Sequence, residues 1–247
     1  MAFLRKYLPP KLAYTAEHLF PRKRKHRKRM ISHYEEFIKK GDLVFDVGAN
    51  LGERTKVFRT LGAKVIAIEP TNYCSQYLVK LFQDDPNVII IPKALGAKEG
   101  QGEIHINEKR PVLSTMSDKW ATESRFSKDN SWERNEQISI TTLDALIKQY
   151  GTPKFCKIDV EGFEFQVMAG LSSSIPFISF EFLNEFLNDA IQCIDRAISI
   201  GNATFNYNVG ENMDLTLPLW TSKEQLISSI TNINDKTLWG DIYIHIT

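Results

Sequence analysis

The chain has 247 residues, 43% of them hydrophobic and 25% charged, and a formal net charge of +1. It reads as an ordinary soluble globular chain, long enough for one large α/β domain with appendages and too short for a second full domain. No apolar stretch approaches the ~20 residues of a membrane span. Arg5, Lys6, Pro9 and Pro10 interrupt any signal-peptide pattern. Cys74, Cys156 and Cys193 form neither a disulfide framework nor a zinc spacing, so the expected setting is reducing and cytoplasmic.

The charge is unevenly spread. Residues 1–40 hold 12 Lys/Arg against 3 Glu, and the remainder holds 19 Lys/Arg against 27 acids. Residues 1–20 suit one or two short helices broken at Pro9-Pro10. The basic block Arg22 to Arg29 is either a patch for an anionic partner or a solvated face docked on the acidic body of the same chain. It lacks the interleaved aromatics of a base-stacking surface, so the nucleic-acid signal is weak. Phe3, Leu4, Tyr7, Leu8 and Leu12 ahead of it would make an amphipathic face for peripheral contact with a membrane surface. Met30, Ile31, Tyr34, Phe37 and Ile38 recur at helical spacing over 27–40. The division expected is a basic helical extension over 1–40 and a catalytic domain over 41–247.

From Gly41 onward strands and helices alternate. Strand 43–48 leads to helix 53–61, strand 64–69 to a helix within 72–84, and strand 88–92 follows the turn Asp85-Pro86-Asn87. This order predicts a parallel sheet with helices on both faces. The alternation breaks at two period-two strands, 102–107 and 137–141. The polar stretch 108–136 between them is expected to be a substrate-side flap carrying Ser114, Thr115, Trp120, Phe126 and Trp132. Helix 142–150, strand 154–159, helix 161–171, strand 177–182 and helix 186–200 resume the order. Segments 204–208 and 241–246 close the chain as strands.

The most informative decade is Leu43-Val44-Phe45-Asp46-Val47-Gly48-Ala49-Asn50-Leu51-Gly52. An apolar strand stops at small residues and a helix begins, so a ligand can lie against bare backbone above a helix amino terminus. A dinucleotide fingerprint would need glycine where Asn50 stands, and a P-loop would need Lys-Ser/Thr after Gly52. Asp46 and Glu53 beside the turn suit a ligand that carries positive charge. Glu69 ends the second strand 21 positions after Gly48, where an acid accepts hydrogen bonds from ribose hydroxyls. S-adenosylmethionine meets that description.

The same residues resemble the FkbM family of S-adenosylmethionine-dependent methyltransferases. The matching pieces are Asp46 to Gly52 with Thr55, then Glu69-Pro70, Ala94-Leu95-Gly96, Thr142 to Leu146, and Lys157-Ile158-Asp159-Val160-Glu161-Gly162, with Gly170-Leu171 beyond. Together they cover roughly residues 41–190. The resemblance implies a Rossmann-like sheet closed by antiparallel strands at its C-terminal end, and O-methylation of a hydroxyl on a sugar, glycan or natural product. Asn50 replaces the glycine of the more common methyltransferase turn, a replacement the FkbM-like form shares.

Ligands in open α/β sheets sit at the carboxyl ends of strands. The cofactor candidates are therefore Asp46, Gly48, Asn50, Gly52, Thr55, Glu69, Pro70, Lys93 and Ala94. Asn50 either bonds the methionine carboxylate or holds a left-handed turn, and Thr55 either contacts that carboxylate or sits on a helix face. Lys157, Asp159 and Glu161 alternate and would share one face of a strand. Asp159 or Glu161 is the candidate base, or a ligand for a divalent metal that nothing else supports, with Lys157 as an electrostatic aid. The alternative is a structural ion pair with Glu161 opening the next helix. The five histidines form no ligand spacing, and His33 reads as a surface residue. Two rival functions are an NAD-dependent oxidoreductase and a non-catalytic scaffold protein.

Overall fold

The computed structural model describes residues 8–17 and 20–247, without the side chains of Tyr14 and Glu17. Phe3, Leu4 and Tyr7 of the expected amphipathic face lie outside the described residues. A short helix α1 (Pro10–Glu17) precedes α2 (Pro21–Tyr34). Helix α2 starts six residues earlier than its apolar periodicity suggests, because Pro21 opens the first turn and Arg and Lys are good helix formers.

The central sheet is built from β1 (Leu43–Val47), β2 (Lys64–Ile68), β3 (Val88–Ile91), β7 (Phe155–Ile158), β8 (Phe177–Leu183), β9 (Ala203–Tyr207) and β10 (Trp239–Ile246). The spatial order is β3-β2-β1-β7-β8-β10-β9. All neighbours are parallel except β10, which runs antiparallel to both β8 and β9. This is the Rossmann-like methyltransferase arrangement, with the expected antiparallel C-terminal end. A second sheet, β4-β6-β5, joins β4 (Ala94–Leu95), β5 (Gly100–Ile106) and β6 (Arg134–Thr141) beside the first.

Side chains alternate across each strand and feed two cores. Phe45, Val47, Ile66, Ile68, Cys156 and Ile158 face one side, under α6 (Leu143–Tyr150), α7 (Glu164–Ala169), α8 (Leu187–Ile200) and α9 (Lys223–Asn232). Val44, Val65, Ala67 and Phe155 face the other, under α2, α3 (Glu53–Thr60) and α4 (Asn72–Phe82). Met30, Tyr34, Phe37 and Ile38 belong to that second core, so the end of α2 is packed into the body. The basic block is helical and partly docked: Lys23 pairs with Glu53 at 2.8 Å, His26 lies 3.4 Å from Glu211, and Arg27 donates to the Thr60 hydroxyl. Arg22, Arg24, Lys25 and Lys28 remain exposed. Among the described residues no helix is long and apolar enough to cross a membrane.

The stretch expected as a loop holds a 3₁₀ turn (Pro111–Leu113) and α5 (Asp118–Glu123), which is capped where the Ser117 hydroxyl accepts from the Trp120 N–H. Trp120 is buried and stacks on Phe126, with Trp132 at its edge. This segment is therefore anchored by its own aromatic cluster.

Candidate active site

At the end of β1 the chain turns through three left-handed residues, Gly48, Asn50 and Gly52. At Gly48 the left-handed φ of +79° coincides with crowding, since a Cβ there would sit 1.8 Å from the carbonyl oxygen of Asp159. Two strand ends thus approach as closely as bare backbone permits. Asn50 takes the left-handed conformation that its type tolerates, and its N–H donates to Glu69 Oε2 at 3.0 Å.

Glu69 follows β2 and is 5% exposed. Its other oxygen, Oε1, accepts from the N–H and hydroxyl of Thr71. Burial pushes this carboxyl above its ordinary value, and the Thr71 and Asn50 bonds oppose the rise. A carboxylate has about four lone-pair sites, and three bonds leave one for a ligand hydroxyl. Pro70, Lys93 and Ala94 line the same crevice with Glu69. Gly52 and Thr55 line neither of the two cavities described below. Thr55 is buried and donates to Asp46, so it braces that carboxylate rather than reaching a ligand. Asp46 is itself raised by burial, with the Thr55 bond opposing.

Strand β7 ends at Ile158, so the expected shared strand face for Lys157, Asp159 and Glu161 does not form. Lys157 is fully buried, 2.9 Å from Asp241 on β10 and 3.5 Å from Asp159. Burial lowers a lysine, but these two carboxylates outweigh it and hold Lys157 above its ordinary value. The ammonium lines neither of the cavities over the turn. Asp159 also receives Arg54 at 3.1 Å. Burial would raise its carboxyl, and Lys157 and Arg54 together hold it below the usual range.

Glu161 does not open a helix; α7 begins at Glu164. It sits in a loop at φ +55°, followed by Gly162 at +89°. A Cβ on Gly162 would meet Trp120 at 2.6 Å. Glu164 holds this loop by accepting from the N–H groups of Val160 and Gly162, while burial lifts its carboxyl to about 7. The Thr115 hydroxyl donates to the Glu161 carbonyl oxygen at 2.6 Å. His33, expected at the surface, is buried and shares a 2.9 Å hydrogen bond with the Tyr243 hydroxyl. Burial lowers its pKa to about 4, so the ring is uncharged at neutral pH.

Two cavities meet over the turn. The narrower, about 560 Å³ of non-protein space, runs from Glu69, Pro70 and Lys93 beneath Pro111, Val112, Ser114 and Met116. The wider, about 1390 Å³, is lined by Asp46, Arg54, Arg110, Phe126, Glu181 and Trp239 among others. Gly48, Asn50, Val112, Asp159 and Glu161 line both. Carboxylate oxygens of Asp159, Glu161 and Glu181 lie within 4.8 Å of one another at this junction. Spacing alone does not make a metal site, and none of the three is assigned as a ligand. Sequence reasoning gave Glu181 no role and missed Arg54, Thr71 and Asp241. The signal for Glu181 and Asp241 was an acid inside an otherwise apolar strand.

A model of the methyltransferase FkbM domain matches residues 46–207, from the end of β1 to the end of β9. The chain belongs to the FkbM methyltransferase family. The hexuronic acid methyltransferase AglP of Haloferax volcanii is 27% identical over 141 residues, 56% of this chain. The chain spans about half of that relative, 54% of its length. Among solved structures, the precorrin-6y C5,15-methyltransferase of Geobacter metallireducens aligns over 90% of this chain and 87% of its own, at 11% identity and a TM-score of 0.43. Fibrillarin of Aeropyrum pernix, solved with S-adenosyl-L-methionine, aligns over 84% and 68%, at 9% identity and a TM-score of 0.39. For an FkbM methyltransferase, the residues at the turn fit a nucleoside-bearing cofactor: Glu69 keeps a free acceptor site, and Gly48 keeps the turn clear of side chain.

Proposed function

We propose that the protein transfers a methyl group from S-adenosylmethionine to a hydroxyl on a sugar or glycan. The observation that carries this reading is the continuous crevice from Glu69, a buried carboxylate with one acceptor site to spare, to a carboxylate cluster facing a wide cavity. Glu69 would hold a ribose hydroxyl, Pro70, Lys93 and Ala94 the adenine side, and Gly48 to Asn50 the methionine side. When bound, the cofactor supplies an electrophilic methyl on a sulfonium cation. The chain's own work is to orient, to exclude water and to receive the hydroxyl proton.

The acidic lining beside the turn suits a cationic ligand better than a pyrophosphate, which argues against the oxidoreductase alternative. The wide cavity, with acids and the ring of Trp239, suits a polyhydroxylated acceptor, and the similarity to a hexuronic acid methyltransferase supports a sugar.

The test is calorimetric titration with S-adenosylmethionine, S-adenosylhomocysteine and NAD. Both sulfur ligands should bind and NAD should not. Losing hydrogen bonds to a charged acceptor costs about 1.5–3 kcal/mol, so Glu69→Ala should weaken both sulfur ligands roughly 10- to 100-fold. Tight NAD binding, or silence with both sulfur ligands, would refute the proposal and leave the oxidoreductase or the scaffold reading respectively.

A further inference from the structure

Three carboxylates crowd the cavity junction, and they are not equivalent. Asp159 has two cationic partners, Arg54 at 3.1 Å and Lys157 at 3.5 Å. The side chains of Glu161 and Glu181 have no ion pair or hydrogen bond among the described residues, and both face the wide cavity. They reach it from different elements, Glu161 from the loop before α7 and Glu181 from β8. Their oxygens and those of Asp159 all lie within 4.8 Å of one another. Uncompensated carboxylates this close, in a half-buried site, do not all ionise together; one keeps its proton.

We propose that Glu161 and Glu181 hold one proton between them in the free protein, release it when a sulfonium cation binds, and then accept the proton of the methyl acceptor's hydroxyl. The inference rests on the cofactor reading above and adds Glu181 as a proton-handling residue. Glu161 lines both cavities, so a cation reaching from the narrow one into the wide one passes beside it. A positive charge there favours the ionised pair and expels the shared proton. Transfer to a hydroxyl then balances: the C–S bond breaks with its electrons going to sulfur, the C–O bond forms, and the hydroxyl proton passes to the emptied carboxylate.

The surrounding charges agree with this division. Asp159, Asp241 and Glu164 lie close enough to act on the pair, Lys157 and Arg54 are committed to the first two, and Arg110 on the covering segment lines the same cavity. Burial first, then the neighbouring carboxylates, lifts Glu161 and Glu181 well above the ordinary glutamate range.

The test needs no acceptor. Binding of S-adenosylmethionine and of S-adenosylhomocysteine is titrated at neutral pH, with a chelator, in buffers of differing ionisation enthalpy. The slope of observed enthalpy against buffer enthalpy counts protons released. The two ligands share the α-amino group and differ in the sulfonium charge, so the difference between slopes isolates the carboxyl pair. The wild-type protein should release more protons with the sulfonium ligand. Glu181→Gln and Glu161→Gln should each bind both ligands and lose that difference. Equal proton counts in the wild-type protein, or a difference that survives Glu181→Gln, would overturn the inference. Failure of the wild-type protein to bind either ligand would instead remove the cofactor reading on which it rests.

Discussion

Replacing Lys157 with methionine tests whether the buried charge network is structural. The ammonium is fully buried, donates to the Ile158 carbonyl oxygen at 3.0 Å, and sits 2.9 Å from Asp241. Methionine keeps the length and removes the charge. Asp159 would retain Arg54, but Asp241 would lose its cation in a dry environment. Removing one partner of a buried pair costs about 3–5 kcal/mol. For a domain of this size each kcal/mol moves the melting temperature by about 2–4 °C, so a fall of roughly 6–20 °C is expected. Urea unfolding followed by tryptophan fluorescence measures the free energy directly. The companion variant Lys157→Met with Asp241→Asn removes the orphaned charge and should recover much of the loss. A loss under about 1 kcal/mol in the single variant would mean that these charges are solvated and the reasoning is wrong. No recovery in the double variant would assign the loss to packing.

Two further outcomes follow from geometry and charge. Gly48→Ala should abolish sulfur-ligand binding and destabilise the fold, because its Cβ would meet the Asp159 carbonyl, whereas Gly41→Ala, also at positive φ but with nothing within 4 Å, should cost only the roughly 1–2 kcal/mol of left-handed strain. Comparable losses in the two, measured by calorimetry and chemical unfolding, would contradict the close approach. Glu164, whose folded value of about 7 lies above the ordinary 4.5, contributes stability fully present below pH 4.5 and lost as pH rises through 7. Glu164→Gln keeps an oxygen for the Val160 and Gly162 N–H groups, so it should flatten that decline and be more stable than the native chain at pH 8. An unchanged slope of stability against pH would count against it.

The parts of this fold that could be read from sequence are those where a local pattern is also the global one. The apolar run Leu43 to Val47 ending in Gly48 is a buried parallel strand meeting a ligand turn, and Glu69 is placed by strand spacing alone. What escaped depends on contacts between distant residues or on elements too short to carry a period. Two-residue β4 gives no pattern, yet it joins the second sheet by pairing with β6. Alternation of Lys157, Asp159 and Glu161 suggested one strand face, but the strand stops at Ile158; Gly162 next to Glu161 marked the turn that breaks it. The nearest carboxylate partner of Lys157 lies 84 positions away on β10. Helix α9 has a recognisable start, since the Ser222 hydroxyl accepts from the Gln225 N–H, but its weak apolar pattern hid it.

The covering segment ties access to chemistry. Pro111, Val112, Ser114 and Met116 roof the narrow cavity, and Thr115 among them is hydrogen-bonded to the Glu161 carbonyl oxygen. A displacement of this roof that broke that bond would leave the loop held through Glu164, which accepts from the Val160 and Gly162 N–H groups. Access to the narrow cavity and the setting of Glu161 are thereby linked through one hydrogen bond.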